Sequence, residues 1–149
     1  MKKLRGSSTR PRVSGGFTLI ELMVAVAILA IIMGIAIPSY SQWVLKSGRA
    51  EAKGALMQGA QALERCFTRF SAYNDGKCDA AKADPTGIDG RLSENDKYRV
   101  TVTAIAANTF TLTAAPNGGQ IKDTECGSFT LTHTGARDVS ATGNSDKCW

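Results

Sequence analysis

The hydrophobic and polar positions divide the chain into regions of different period, and the main feature of the first region is a continuous apolar run. Residues Leu22 to Ile37 carry no polar side chain, and the run extends back to Phe17 if Thr18 and Glu21 are included. A helix of about 21 residues rises roughly 31 Å, about the thickness of a bilayer's hydrocarbon core. The run therefore predicts a helix that can span a membrane, with one carboxylate near its start.

A helical period continues beyond Pro38. Apolar residues recur there at spacings of three and four, which predicts an amphipathic helix reaching about Phe70. The apolar positions are Ala52, Leu56, Gly59 or Ala60, Leu63, Phe67 and Phe70. The opposite, solvent-facing side is assigned Lys46, Arg49, Glu51, Lys53, Glu64 and Arg65. Because Pro38 removes a backbone hydrogen bond and Gly34 lies one turn earlier, we expect a bend or local melting there.

The last third of the chain alternates with period two. Residues 71–97 are rich in turn-forming residues, and three alternating runs follow them. Their core-facing positions are Tyr98, Val100, Val102 and Ala104, then Phe110, Leu112 and Ala114, then Phe129 and Leu131. Turn signals separate the runs, so the pattern predicts an antiparallel meander. Its apolar face needs a cover, and the second half of the helix is the candidate.

The formal net charge of +5 is concentrated at the N-terminus. The first 16 residues hold five of the 18 basic side chains and no acid, so from Phe17 onward 13 basic residues balance 13 acidic ones. The high pI is therefore weak support for nucleic-acid binding. A basic segment before an apolar core predicts that the N-terminus stays in the cytoplasm while the rest crosses the membrane.

Four cysteines follow the apolar run without forming a CxxC pair. The single histidine, His133, cannot complete a Cys/His zinc set, so we expect no metal and no cofactor. An even cysteine count beyond a membrane-targeting segment predicts disulfides in an oxidising compartment. Four cysteines can form two disulfides in three ways. We favour the arrangement that joins sequence neighbours, Cys66–Cys78 with Cys126–Cys148, although the spacing alone leaves the other two arrangements open.

Glu21 is the residue that any interpretation of the apolar run has to explain. An ordinary secretory signal peptide offers a cut site after Gly34-Ile35-Ala36, but the amphipathic pattern continues through that point. A plain membrane anchor is the second interpretation. Neither accounts for Glu21, because a carboxylate inside an apolar span is costly unless it is paired or kept near an interface.

The segment Gly16-Phe17-Thr18-Leu19-Ile20-Glu21, behind a short basic leader, resembles the prepilin signature of type IV pilins and the related pseudopilins. The resemblance implies that a prepilin peptidase cleaves between Gly16 and Phe17, methylates the new N-terminus and leaves the apolar helix in the product. In filaments of this family, the glutamate is thought to face the N-terminal amine of a neighbouring subunit. Such an opposite charge reduces the cost of burying a carboxylate. Glu21 and Pro38 are therefore candidate assembly residues.

The resemblance also implies an α+β fold, the type IV pilin fold, with a long N-terminal helix packed on an antiparallel sheet and a disulfide-bounded C-terminal loop. Glu125 to Thr132 and the terminal Lys147-Cys148-Trp149 are most similar to PilE-type minor pilins. The expected regions are a removed leader (1–16), an apolar transmembrane and assembly half-helix (17–38), an amphipathic half-helix (39–70), a loop region (71–97), and the sheet with the C-terminal disulfide region (98–149).

The function implied is that of a structural pilus subunit, held in the bacterial inner membrane by one span and then moved into a filament. Its partners would be other pilin subunits, the prepilin peptidase and the inner-membrane assembly machinery, in support of motility, adhesion or DNA uptake. One alternative is a pseudopilin of a type II secretion system, although the two cysteine pairs favour a pilus subunit. The other is a DNA receptor at a pilus tip.

A DNA receptor requires a basic surface. Arg65, Arg69, Lys77 and Lys82 surround the favoured Cys66–Cys78 loop and form the candidate patch, although neighbouring acidic residues balance it.

No residue pattern indicates an enzyme. His133 alternates away from Phe129 and Leu131, which predicts a solvent-facing strand residue without a nearby nucleophile. The carboxylates Asp75, Asp79, Asp84 and Asp89 recur at intervals of four or five, but they lack the ligand order of an EF-hand. We expect this segment to be a solvated loop.

Overall fold

The computed structural model describes residues 16–82 and 87–149. The expected leader up to residue 15, and Asp84 of the aspartate series, lie outside these residues. The chain divides into two compact units, with the boundary between Ser39 and Tyr40.

The described part of the first unit, residues 16–39, is almost entirely the apolar part of helix α1. This helix runs from Leu19 to Phe70 and so also contributes to the second unit. Its apolar side chains before Ser39 are all exposed. The helix continues through Pro38 without interruption, so the local melting expected there does not occur.

The second unit adds a five-stranded antiparallel sheet to the amphipathic part of α1. The strands are β1 (Arg91–Leu92), β2 (Tyr98–Ile105), β3 (Phe110–Pro116), β4 (Phe129–Thr132) and β5 (Arg137–Val139), and they pair in that order. Short 3₁₀ helices occupy Asp79–Ala81 and Gly118–Lys122, and a final turn of helix, α2, spans Ser145–Cys148. The predicted α+β architecture is confirmed.

Two of the five strands were absent from the sequence prediction. β1 has two residues and β5 has three, and such short segments do not show a recognisable alternation. β1 also places a strand within the region predicted to be a loop.

A β-bulge corrects the predicted face of one residue. Val102 pairs with Leu112, but the register then shifts so that Ala104 pairs with Thr111 and Ile105 with Phe110. The extra residue turns Ala104 to solvent, and Ile105 takes the core side.

The core lies between the amphipathic part of α1 and the sheet. Its largest fully buried side chains are Tyr98, Phe129, Leu56, Leu63, Leu112 and Val100. Gly59 lets helix and sheet approach closely, because a Cβ there would lie 3.0 Å from a Leu112 methyl and 3.1 Å from an Ile88 methyl. The predicted apolar positions of the helix from Ala52 to Phe67 pack in or against this core, with Phe67 only half-buried. Phe70 is half-buried at the end of the helix.

Candidate functional site

The N-terminal segment presents the residues of the prepilin-like motif on an exposed helix start. Phe17 is 87% exposed, and the Thr18 hydroxyl accepts a hydrogen bond of 3.3 Å from the backbone N–H of Glu21. This is an N-cap contact, which satisfies one of the free amides at the start of α1. The Glu21 side chain is exposed in the first turn of the helix.

The apolar part of α1 is a surface without a protein partner in the single chain. Among the described residues, α1 is the one helix whose length and composition would let it cross a membrane, and its most apolar stretch is entirely unburied. The exposed side chains include Leu22, Val26, Leu29, Met33 and Ile37. Exposed apolar surface of this extent marks a membrane or protein contact. The segment can therefore bury itself in lipid or against other helices.

Both cysteine pairs favoured from the sequence are bonded. Cys66 and Cys78 are joined with their Cα atoms 5.5 Å apart, and Cys126 and Cys148 with theirs 5.8 Å apart. The first bond ties the end of α1 to the loop that follows it. The second ties the segment before β4 to α2, so it closes the C-terminal region.

The candidate basic patch is gathered at the first disulfide. Arg65, Arg69, Lys77 and Lys82 are all exposed, and the Cys66–Cys78 bond brings the segments that carry Arg65 and Lys77 together.

Acidic groups accompany the patch. The Lys82 ammonium contacts the Asp79 carboxylate, and Asp75 accepts a hydrogen bond from the Lys77 backbone N–H. Arg65 also lines a groove of about 940 Å³ between α1 and β1 that includes Arg91 but also Glu51 and Glu94. The basic side chains are accessible, but their surface has mixed charge.

A buried ionic network is the main polar feature that the sequence analysis missed. The Arg49 guanidinium donates to both Asp123 oxygens, at 2.7 and 2.8 Å, and to Glu125 at 2.7 Å. Arg49 is 9% exposed and Asp123 3%, so the prediction that Arg49 faces solvent is wrong. A signal was available, because Arg49 lies three and seven positions before Ala52 and Leu56, on the apolar side of the helix.

Gln120 extends this network. Its amide nitrogen donates to the Leu45 carbonyl at 3.1 Å, to the Tyr98 hydroxyl at 3.2 Å and to Asp123 at 3.2 Å. A Cβ at Gly48 would collide with the Gln120 amide, so a larger residue there would displace the Gln120 side chain from these hydrogen bonds. The network therefore joins α1 to β2 and to the segment before β4.

The network perturbs the titration of its members. The hydrogen bonds from Arg49 to Asp123 raise the pKa of the guanidinium further above its ordinary value. Burial opposes ionisation of Asp123, but the hydrogen bonds and charge of Arg49 outweigh it, so the pKa of this carboxyl is lowered. Burial raises the pKa of Tyr98 to about 12. At neutral pH the pair is ionised and Tyr98 remains a neutral hydroxyl.

The other candidate chemical residues are not assembled into a site. His133 is exposed, with its ring 6.3 Å from the ring of Phe110. Asp75 and Asp79 have the local contacts given above, and Asp89 accepts from the Val102 backbone N–H at 2.9 Å.

One group of side chains within the described ranges has ligand atoms close enough for a metal: Asp123, Glu125 and Cys126. Cys126 is disulfide-bonded and Arg49 contacts both carboxylates, so these residues do not fit a metal.

Comparison with known proteins agrees with this geometry, which is that of the type IV pilin class. The family model described as "Type IV minor pilin ComP, DNA uptake sequence receptor" matches residues 38–130, more than half of the chain. A prokaryotic N-terminal methylation motif matches residues 11–37. The chain belongs to the ComP family of type IV minor pilins, and the resemblance inferred from the prepilin-like motif is confirmed. Membership of a family of structural pilins points to a protein that is not an enzyme.

Individual relatives are also pilins. A fimbrial protein of Dichelobacter nodosus is 34% identical over 116 residues, which cover 73% of this chain and 65% of that protein. The non-core minor pilin PilV of Neisseria meningitidis has a solved structure with a TM-score of 0.49 and 22% identity, covering 68% of this chain and 92% of PilV. A type IV pilin from Shewanella oneidensis gives a TM-score of 0.45 at 30% identity, covering 70% and 97%. The chain thus spans just under two thirds of the length of the Dichelobacter protein.

Proposed function

We propose that this chain is a minor pilin that is anchored in the bacterial inner membrane by its apolar helix and then assembled into a type IV pilus. The observation that carries the proposal is the exposed apolar part of α1, which directly follows the prepilin-like Gly16-Phe17 junction. A single chain has no internal use for this surface, whereas a bilayer and then a bundle of neighbouring pilin helices would cover it. The matched minor-pilin family supports a pilus subunit over a secretion pseudopilin.

Processing and assembly depend on different residues of the same segment. A prepilin peptidase would cleave between Gly16 and Phe17 and methylate the Phe17 amine. Glu21, exposed in the first helical turn, would then pair with the Phe17 amine of a neighbour. Since the surrounding aliphatic side chains supply most of the burial, the ion pair would mainly favour the correct axial register.

Glu21→Gln should separate these two steps. We expect its N-terminal residue to remain methylated Phe17, while its share in sheared filaments falls about tenfold, equivalent to about 1.4 kcal/mol. N-terminal sequencing, mass spectrometry and quantitation of filament fractions measure the two effects. Glu94→Gln, which neutralises an exposed carboxylate of the second unit, is the matched control. Ile37 as the first residue would contradict processing at Gly16, and normal incorporation of Glu21→Gln would contradict the ion pair.

A second function, DNA binding by the second unit, is favoured by the family match. The matched residues, 38–130, lie almost entirely in that unit, and the family's description names a DNA uptake sequence receptor. The chain beyond Phe17 has balanced charge, so binding would depend on the local cations Arg65, Arg69, Lys77 and Lys82 rather than on net charge. Arg and Lys side chains near the phosphate backbone make such binding salt-dependent.

Salt titration of DNA binding tests this function. We expect the full chain in zwitterionic nanodiscs to bind a labelled duplex, with a log–log salt slope that becomes shallower by about 0.9 for each patch cation changed to Gln, if that cation contacts phosphate. Fluorescence anisotropy measures the slope. Lys122→Gln with Lys147→Gln, two exposed lysines on other elements, should leave it unchanged. Absence of binding at low salt would contradict the proposed DNA binding. Equal slopes for all variants would contradict the assignment of this patch as the DNA contact.

A further inference from the structure

We propose that Tyr40 and Trp43 form an aromatic anchor that binds the phospholipid headgroup layer on the far side of the membrane and sets the depth of the apolar helix before assembly. The inference rests on the proposed membrane insertion and adds a specific lipid contact to it. The pair lies at the start of the second unit, directly after the apolar segment.

The two rings are exposed where the unit's other large aromatic side chains are largely packed. Tyr40 is 67% exposed and Trp43 63%, and their ring centroids lie 6.1 Å apart in a stacked arrangement. Among the described residues of the second unit, only Ile121 is a comparably exposed large apolar side chain. Burial in the fold therefore does not explain why aromatic residues occur here.

The spacing places these rings beside a cation. Tyr40, Trp43 and Lys46 follow one another at intervals of three, so they lie on one side of the helix. Lys46 is exposed as well. Tyr and Trp concentrate at membrane interfaces because each combines an apolar ring with a polar group. A lysine beside them can extend its ammonium to headgroup phosphates while its methylene stem stays on apolar surface.

The length of the preceding apolar segment also supports a position of the two rings in the headgroup layer. Phe17 to Ile37 would rise roughly 31 Å as a helix, which fills a hydrocarbon core of about 30 Å. Tyr40 and Trp43 follow Ile37 in the same helix at about 5 and 9 Å further along, at about 1.5 Å per residue. The headgroup layer is about 5–8 Å thick on each side. The backbone at Tyr40 would lie within this layer and the backbone at Trp43 at its outer edge. Because helical side chains tilt toward the N-terminus, the Trp43 ring would extend back into the layer when the apolar segment spans the core. The alternative partner for the two rings is the helix of a second pilin. Contact with such a helix would not require the rings to lie at the depth of the headgroup layer.

Tryptophan fluorescence tests the anchor, since the chain contains two tryptophans, Trp43 and Trp149. Trp149→Phe leaves Trp43 as the sole reporter in full-length chain reconstituted into phosphatidylethanolamine and phosphatidylglycerol vesicles. Bromine atoms are carried on the lipid chains either near the headgroup or near the bilayer centre. We expect quenching by the shallow bromines to be roughly twofold stronger than by the deep ones, as for an interfacial ring.

Trp43→Phe provides the reciprocal control. It retains Trp149, which packs against Phe129 with ring centroids 5.6 Å apart and should be quenched by neither lipid. If Trp149→Phe disturbs the fold, as circular dichroism would show, the quenching of the unsubstituted chain minus that of Trp43→Phe still reports on Trp43.

Each outcome has a definite meaning. Stronger shallow quenching supports the anchor. Stronger deep quenching, or no quenching in a chain that sediments with the vesicles, overturns it, and the second result leaves the pair for a protein partner. A chain that does not sediment with vesicles contradicts the membrane insertion on which both proposals rest.

Discussion

Arg49→Ala is expected to lower the free energy of unfolding of the second unit by about 3–5 kcal/mol, because it leaves a buried carboxylate without its counter-charge. Asp123 is 3% exposed and receives two hydrogen bonds from Arg49, so solvent cannot replace the guanidinium without opening the core. Gln120 donates a single hydrogen bond to the same carboxylate and carries no charge. Denaturant unfolding in detergent, followed by Trp149 fluorescence with Trp43→Phe in every chain compared, measures the change. Trp149 is a suitable reporter because its ring packs against the core residue Phe129.

Lys46→Ala is the matched control for this substitution. It removes one positive charge from the same helix at an exposed position, where a surface change usually alters stability by no more than about 0.5 kcal/mol. Equal effects of the two substitutions would show that the buried pair contributes no more than a surface charge.

The pH dependence of the same variant gives a second check. The pKa of Asp123 in the folded chain lies below its unfolded value, so the ion pair stabilises the fold above the unfolded value of about 4 and this contribution is lost as pH falls through the folded pKa. In Arg49→Ala the carboxyl is buried without its counter-charge and keeps only neutral donors, the Gln120 amide and the Cys126 backbone N–H, so protonation relieves the cost instead. The stability difference between the two chains should therefore narrow on acidification from about pH 7 to pH 3. A difference that is constant with pH would contradict the assigned pair.

Removing the Cys126–Cys148 disulfide, as the double alanine variant, is expected to cost about 2–5 kcal/mol and to loosen the C-terminal region first. The bond closes a segment of sequence separation 22 with few other buried apolar groups, and both of its cysteines are buried. Its loss would release Trp149, which packs on Phe129 and donates to the Asp138 carbonyl at 2.9 Å. Unfolding curves and limited proteolysis, with the cleaved sites mapped by mass spectrometry, measure both effects.

The Cys66–Cys78 disulfide provides the comparison. It closes a shorter segment, of sequence separation 12, and Cys66 is only half-buried, so the matching double alanine variant should lose less stability. Cleavage should then begin in the loop after α1 rather than near the C-terminus. A larger loss from this variant would contradict the expectation that the Cys126–Cys148 bond contributes more to the stability of the second unit.

The sequence alone was sufficient for the features that depend on local pattern. The apolar run, the three-and-four spacing and the period-two runs predicted α1 and the three longer strands, because each side chain's face follows from its position within a regular element. The Gly16–Glu21 motif predicted the family, because it is a contiguous segment. The residues proposed for processing, assembly and DNA binding still depend on partners that one chain does not contain.

Only the tertiary structure decided which residues meet across long separations. Arg49 and Asp123 are 74 positions apart, so no local pattern could show that a charged side chain on the apolar side of α1 would be buried and paired. β1 and β5 are too short for a period and exist because longer neighbours offer unpaired edges. The bulge that turns Ala104 outward depends on the register of β2 against β3. A periodic sequence specifies the faces of its elements, whereas buried pairs, edge strands and register shifts arise only when those elements are packed together.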